Sequence, residues 1–353
     1  MTVQAISSGR WTNIENTVFE NYAVRSLGYG NGRFIAAGDS GRMAHSVDGG
    51  RSWVSVESGT GLAGNKFVST VYAVAFGASL FYAVGADARM SFSVNGVNWT
   101  GHRLPGPTPP PSEPPPPPVY GEVLFAGEAG LKDVRAVVFG RGPSALDGRF
   151  VAAGADGRAA FWNSGMSVWA AGTGIEPEHK IKTLAWGNVE GGRFIAAGTD
   201  GAVYRATDGT GTQSWQRAGD STFGDNTVNA SVFGNGVFVI GGNAGRMAWS
   251  NNGLEWNAVD SSVIGDSDVL SLAFGSGLFV AGTCSGILAW SANGIDWEPI
   301  PDGGFGPGER VNGIATNGRG RFVAAGNCSA GNAGRIVSWY QRPMAHSQTG
   351  GGE

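Results

Sequence analysis

The chain has 353 residues, a net charge of −4 and an isoelectric point near 5.6, so it lacks the basic surplus that general nucleic-acid binding requires. No apolar run approaches the roughly 18 residues of a membrane span, and Met1 to Ser8 is not a basic stretch followed by an apolar core. Neither a membrane span nor a signal peptide is therefore expected, and the protein is expected to be cytoplasmic as synthesised.

In chain order the first element is Gly9-Arg-Trp11-Thr-Asn-Ile14. An apolar run ending in an aromatic and a glycine follows, Val24-Arg-Ser-Leu-Gly-Tyr-Gly30. Next come Phe34-Ile-Ala-Ala, the turn Gly38-Asp-Ser-Gly41, the run Arg42-Met-Ala-His-Ser46, and the segment Ser46-Val-Asp48-Gly-Gly50-Arg-Ser52-Trp53. The series then begins again. Runs of the first kind start at Val24, Val71, Val134, Ile181, Val228, Val269 and Val311, at offsets of 47, 63, 47, 47, 41 and 42 residues. Several short β signals repeating about every 40–50 residues mark a propeller. The expectation is all-β: seven blades of four strands, a to d from the centre outward, in one domain over residues 1–342.

Strand b opens at Phe34, Phe81, Phe150, Phe194, Phe238, Phe279 and Phe322, and a Trp opens strand d at Trp53, Trp99, Trp169, Trp215, Trp256 and Trp297. The seventh unit has no such Trp after its third strand, about Arg335 to Tyr340, whereas Trp11 precedes the first unit. The N-terminal segment is therefore expected to be strand d of blade 7, closing the ring and covering an open edge. The long second offset comes from a proline-rich insertion, 104–118, read as a polyproline II excursion in the exit loop of blade 2. Residues 343–353 are expected to form a flexible tail. Cys284 and Cys328 sit at matching turns of adjacent blades and are expected to be free thiols.

Ser46 to Trp53 fits the pattern Ser-x-Asp-x-Gly-x-Ser/Thr-Trp. Shorter versions are Ser93-Val-Asn95-Gly-Val-Asn-Trp99, Ser250-Asn-Asn252-Gly-Leu-Glu-Trp256 and Ser291-Ala-Asn293-Gly-Ile-Asp-Trp297, with degenerate forms at Asn163-Ser-Gly165 and Thr207-Asp-Gly209. These turns resemble the Asp-boxes of sialidase-like propellers. The units also resemble uncharacterised bacterial and phage tail-associated propellers and the photosystem II assembly-factor propellers. In the sialidase-like family the boxes lie opposite the active site, so the resemblance implies a structural role for Asp48. The Arg-Ile-Pro motif of that family is absent, and Arg42, Arg89, Arg158, Arg246 and Arg335 recur after the b–c turn as framework residues would. His45, His102, His179 and His346 show no metal-ligand spacing, and His45 takes a place that other blades fill with Phe or Trp. No cofactor or metal is expected.

The expected function is a non-catalytic binding module for a surface glycan or a protein partner, and the resemblance to phage tail-associated propellers implies a place on a phage particle. A sialidase-type glycoside hydrolase and an assembly scaffold are the alternatives. The candidate site is the second position of strand a, where the repeat breaks its residue type: Arg25, Tyr72, Arg135, Lys182, Asn229 and Asn312, with Leu270 completing the ring. Cations in a concave, partly desolvated mouth attract anions. Arg25, Arg135 and Lys182 would donate to an acidic sugar, a phosphate or a carboxylate, and Tyr72 would offer a stacking face. Asp133, Glu178, Asp225, Asp268 and Glu309 in the same loops would oppose this by pairing with the cations.

Overall fold

The computed structural model describes residues 11–14, 18–56, 69–101, 126–127, 130–141, 148–163, 169–206, 215–328 and 333–340. The proline-rich insertion, the C-terminal tail, His102 and His346 lie outside the described residues. Seven four-stranded antiparallel sheets stand around an axis, and a two-stranded hairpin, Ala126–Gly127 with Gly130–Leu131, precedes blade 3. The inner strands are Val24–Gly30, Val71–Gly77, Val134–Arg141, Ile181–Gly187, Val228–Gly234, Val269–Gly275 and Arg310–Thr316.

Blade 7 closes as the surplus Trp predicts. Thr12–Ile14 is its outer strand, with Thr12 opposite Ser338 and Ile14 opposite Ile336. Trp11 is buried against Trp339, their ring centroids 6.4 Å apart, within a cluster that includes Leu288, Ile300 and Val337. The first six blades end in outer strands of two or three residues, such as Val54–Ser55 and Glu298–Pro299. Such short edges offer little template for pairing with another chain.

Blades meet through side chains at the ends of the inner strands. In blades 2 to 6 the aromatic before the last glycine of the inner strand reaches back over the terminal glycine of the preceding blade; in blade 7 Thr316 takes its place. A Cβ added to Gly30 would land in the Phe76 ring, one on Gly77 in Phe139, one on Gly140 against Trp186 and one on Gly187 against Phe233 and Phe238. The aromatic–glycine ending of the repeat is thus an inter-blade contact. Strand b supplies the dry interior: Phe34, Phe81, Phe150, Phe194, Phe238, Phe279 and Phe322 are all essentially inaccessible.

The c–d turns lie at the opposite end of each blade from the b–c turns. In the first, the Asp48 carboxylate accepts from the N–H groups of Arg51 (2.9 Å) and Ser52 (3.0 Å) and from the hydroxyls of Ser46 and Ser52 (2.7 Å each). Trp53 Nε1–H then donates to Gly50 O. Asn95, Asn252 and Asn293 repeat the backbone part of this scheme through Oδ1. Arginines at the start of strand b brace the following turn: Arg33 donates to Asn95 O, and Arg321 packs beside Gly49.

Burial alone would raise the Asp48 pKa, but the hydrogen bonds from Ser52, Ser46 and Arg51 outweigh it and hold the group at about 2. A folded pKa below the ordinary carboxylate value of about 3.9 stabilises the fold above that value, and the contribution is lost as pH falls through about 2. Asp48 is exposed, so the effect is small. Asp48→Ala is expected to cost about 1 kcal/mol in a urea titration at pH 7. Asp48→Asn, which copies the other turns, should cost less and should flatten the acid limb of the stability profile between about pH 4 and 2. An unchanged acid limb in the Asn variant would contradict the carboxylate's role.

The recurring arginines after the b–c turn hold loops. Arg42 donates to Val18 O, Arg246 to Thr222 O, and Arg335 pairs with Glu309 at 2.9 Å. His45 is half-buried; burial, and then the nearby Arg33, lowers its pKa, as suits a packed ring. His179 is buried, with Nδ1 2.6 Å from the Tyr204 hydroxyl, which donates to Glu176 at 3.0 Å. Cys284 and Cys328 are free.

Candidate functional site

The second residue of the first six inner strands, and the third of Arg310–Thr316, is the extra residue of a β-bulge. Val24 pairs with Gly38 and Ser26 with Ala37, which leaves Arg25 unpaired. The same shift frees Tyr72, Arg135, Lys182, Asn229, Leu270 and Asn312. A bulge re-aims its side chain, and here it turns seven of them into one mouth of the central channel. The position that varies in the sequence is the position the backbone presents.

The bulge has a local cause. The carbonyl preceding strand a accepts from the N–H that opens the b–c turn: Ala23 O from Asp39, Thr70 O from Ala86, Asp133 O from Ala155, Lys180 O from Thr199 and Thr227 O from Asn243. That carbonyl crosses directly over the last residue of strand b, which is Gly38, Gly85, Gly154, Gly198 or Gly242, and a Cβ there would overlap it. A glycine signal in strand b thus accompanies a half-buried side chain on strand a that faces the mouth.

Two residues further along, Leu27, Val74, Val137, Leu184 and Ile314 are buried, with Ser231 and Leu272 completing the ring. This mostly aliphatic layer floors the mouth, leaving a shallow cavity of about 170 Å³. Its described lining contains no carboxylate.

The cations divide. Arg25 makes a bidentate pair with Asp39, at 2.7 and 3.0 Å, and Arg135 pairs with Asp133 at 2.6 Å. The guanidinium of Arg135 also covers one face of Tyr72, 3.9 Å from the ring centre. Asn229 spends its amide on Asn243 Oδ1 and Val269 O, and Asn312 on Asn327 Oδ1 and Val24 O. Both asparagines therefore tie neighbouring blades together, and Asn312 does so across the join between blades 7 and 1. Lys182 alone of the three cations has no hydrogen-bond or ion-pair partner among the described residues; burial first, then Arg135 and Lys180, lowers its pKa, while Asp133 opposes the shift. Of the opposing acids anticipated from sequence, Asp133 and Glu309 do pair with arginines, and Asp268 accepts from Ala244 N–H. Asp39, the partner of Arg25, was not among them; its signal is the Gly-Asp-Ser-Gly turn directly opposite the bulge.

No family model and no curated protein matches the chain. Solved structures do. A structure of YCF48 bound to a D1 peptide is similar over 97 % of this chain and 99 % of that one, at 15 % identity and a TM-score of 0.65. YCF48 from Cyanidioschyzon merolae matches over 94 % and 98 %, at 14 % identity and a TM-score of 0.61. The WD40 propeller domain of Doa1 matches over 94 % and 97 %, at 12 % identity and a TM-score of 0.62. The chain is a seven-bladed β-propeller. At these identities the propeller fold is what is shared, and the seven blades account for the near-complete coverage on both sides.

Proposed function

We propose that this propeller is a non-catalytic protein-recognition module whose channel mouth takes a peptide segment of a partner through Lys182, with Arg135 and Tyr72 beside it. The observation that carries the reading is the bulge ring: it brings the varied positions to one mouth, and among them Lys182 is a partly desolvated cation with no ion-pair partner among the described residues. An anion docking there would supply the missing charge and relieve the crowding by Arg135 and Lys180. The similarity to a YCF48 structure holding a D1 peptide favours a peptide over a glycan. A glycosidase would need two carboxylates facing across its cleft, and the described lining offers none.

The test is an array of acidic and neutral peptides, probed at low and moderate salt with the wild-type protein, with Lys182→Gln, and with the triple change of Arg25, Arg135 and Lys182 to Ala. Acidic peptides are expected to bind, to weaken with salt, and to lose most of their affinity in both variants while the far-ultraviolet spectrum stays unchanged. Binding that survives the triple change, or that responds to changes on the Asp48 face, would place the site elsewhere. Binding confined to a glycan array would overturn the peptide reading.

A further inference from the structure

On the face opposite the mouth, an arginine precedes the strand-b phenylalanine in four blades: Arg33, Arg149, Arg193 and Arg321. Three of them lie against a glycine in the c–d turn of the next blade, Arg33 by Gly96, Arg193 by Gly253 and Arg321 by Gly49. Arg33 donates to Asn95 O in that turn, and Arg193 pairs with Glu190. The side chain of Arg321 makes no hydrogen bond and no ion pair among the described residues. The turn it meets explains the difference. In blade 2, Gly96 N–H donates to Ser93 Oγ and Gly96 O accepts from Trp99 Nε1; in blade 1 both bonds fall to Gly50. Gly49, at φ +80°, is therefore the additional residue of the long turn. A Cβ on Gly96 or Gly253 would meet the arginine's Cδ, whereas one on Gly49 would meet Nε of Arg321 at 3.0 Å. The insertion sets bare backbone beside the guanidinium, where Arg33 finds a carbonyl.

Arg321 is 9 % exposed, yet none of its nitrogens is sealed from solvent as Nε of Arg193 is. Its guanidinium lies over the Tyr340 ring, 4.7 Å from the centre, and Tyr340 is itself 43 % exposed. Burial first, then Arg51, lowers the pKa of Arg321, while Tyr340 and Asp48 oppose the shift. Arg51 is exposed, and its side chain also has no hydrogen-bond or ion-pair partner among the described residues. Asp48 makes no ion pair with Arg321, and its oxygens already accept from Ser46, Ser52 and the N–H of Arg51.

We propose that this junction of blades 7 and 1 is an anion site separate from the mouth, which takes a phosphate monoester between Arg321 and Arg51 with its organic group against the exposed part of Tyr340. A guanidinium fork matches phosphate oxygens in pairs, and Arg321 has its N–H donors unspent. Two guanidiniums against one engaged carboxylate favour a dianion over a monoanion. The peptide reading of the mouth does not bear on this site, which stands on the opposite face and uses none of the same residues.

The probe is phenyl phosphate, titrated into the full chain at constant ionic strength and followed by the broadening of its phosphorus resonance. It is expected to bind about threefold more tightly than inorganic phosphate, through the ring contact with Tyr340, and to resist displacement by benzoate. Arg51→Gln should weaken it about fivefold. Asp48→Asn, which keeps the backbone bonds of the turn as Asn95 does in blade 2, should tighten it about twofold by removing the opposing charge. Arg321→Lys, which keeps the charge and loses the fork, should weaken it more than Arg51→Gln does. Should Arg321→Lys fail to fold, the two exposed variants still decide. Lys182→Gln should leave phenyl phosphate bound as before. An absence of broadening at millimolar excess, unchanged binding in both Arg51→Gln and Asp48→Asn, or loss of binding in Lys182→Gln would overturn the site.

Discussion

Removing the chain through Ile14 is expected to abolish the cooperative melting transition of the whole ring. The lost segment is small, but its connections are not. Trp11 is 4 % exposed and lies among Leu288, Ile300, Val337 and Trp339, so its deletion opens a cavity at the outer side of blade 7. Burial of this kind is worth about 3–5 kcal/mol when a large aromatic is truncated to Ala, already a large part of a typical domain's stability. The deletion also uncovers Ile336 to Ser338, whose outer hydrogen-bonding edge is paired with Thr12 to Ile14. That bared edge would lie in Gly334–Tyr340, a seven-residue strand longer than the third strands of the other blades, and hence a good template for aggregation. Trp11→Ala measures the side-chain share by denaturant titration; the truncation adds the edge. A synthetic peptide spanning residues 9–15, added in trans, should restore part of the transition, because only strand pairing and one aromatic pocket are missing. A truncated protein that melts like the full chain would refute closure by this strand.

The ring was legible in the sequence because its signals repeat. A spare Trp at one end and a missing one at the other point to one arrangement, and Thr12–Ile14 pairs accordingly. The aromatic–glycine ending of strand a was legible as a pattern, but its meaning was not. Composition says that a glycine is present; only the neighbouring blade shows that Phe76 occupies the space a side chain on Gly30 would need. The candidate site was legible for a related reason. The second position of strand a breaks the residue type from blade to blade, and the bulge turns that position into the mouth, although Asn229 and Asn312 there also bridge blades.

What the sequence could not supply is the pairing of charges. Arg25, Arg135 and Lys182 look alike in a list, and the nearest acids in sequence do not decide which of them is neutralised. Asp133 is two residues from Arg135 and does pair with it, whereas Arg25 reaches Asp39, fourteen residues away and directly across the bulge. Asn229 and Asn312 read from the sequence as members of the candidate site, and only the positions of Val269 O and Val24 O show that their amides also bridge blades. The bulge itself was hidden because its marker, the glycine ending strand b, reads equally well as an ordinary turn residue.

Gly187→Ala is expected to destabilise the ring by about 1–3 kcal/mol, and a larger residue by more. The added methyl would sit between Phe233 and the tip of Phe238, and neither ring is free to withdraw. Phe238 is 1 % exposed, and the two rings are already in contact, with centroids 4.7 Å apart. Blades 6 and 7 provide the internal control. There Gly275 faces Thr316 where other junctions present an aromatic. A threonine side chain is smaller and turns about one bond, so Gly275→Ala should cost less than Gly187→Ala. A double-mutant cycle separates crowding from any general effect of replacing glycine in a strand. Phe233→Ala alone removes aromatic packing and is destabilising, but combined with Gly187→Ala it also vacates the space the methyl needs. The two changes should therefore cost less together than the sum of the singles, with a coupling of about 1 kcal/mol or more. Additive costs, or a Gly275→Ala variant hit as hard as Gly187→Ala, would show that the glycines serve the strand itself and not the fit between blades.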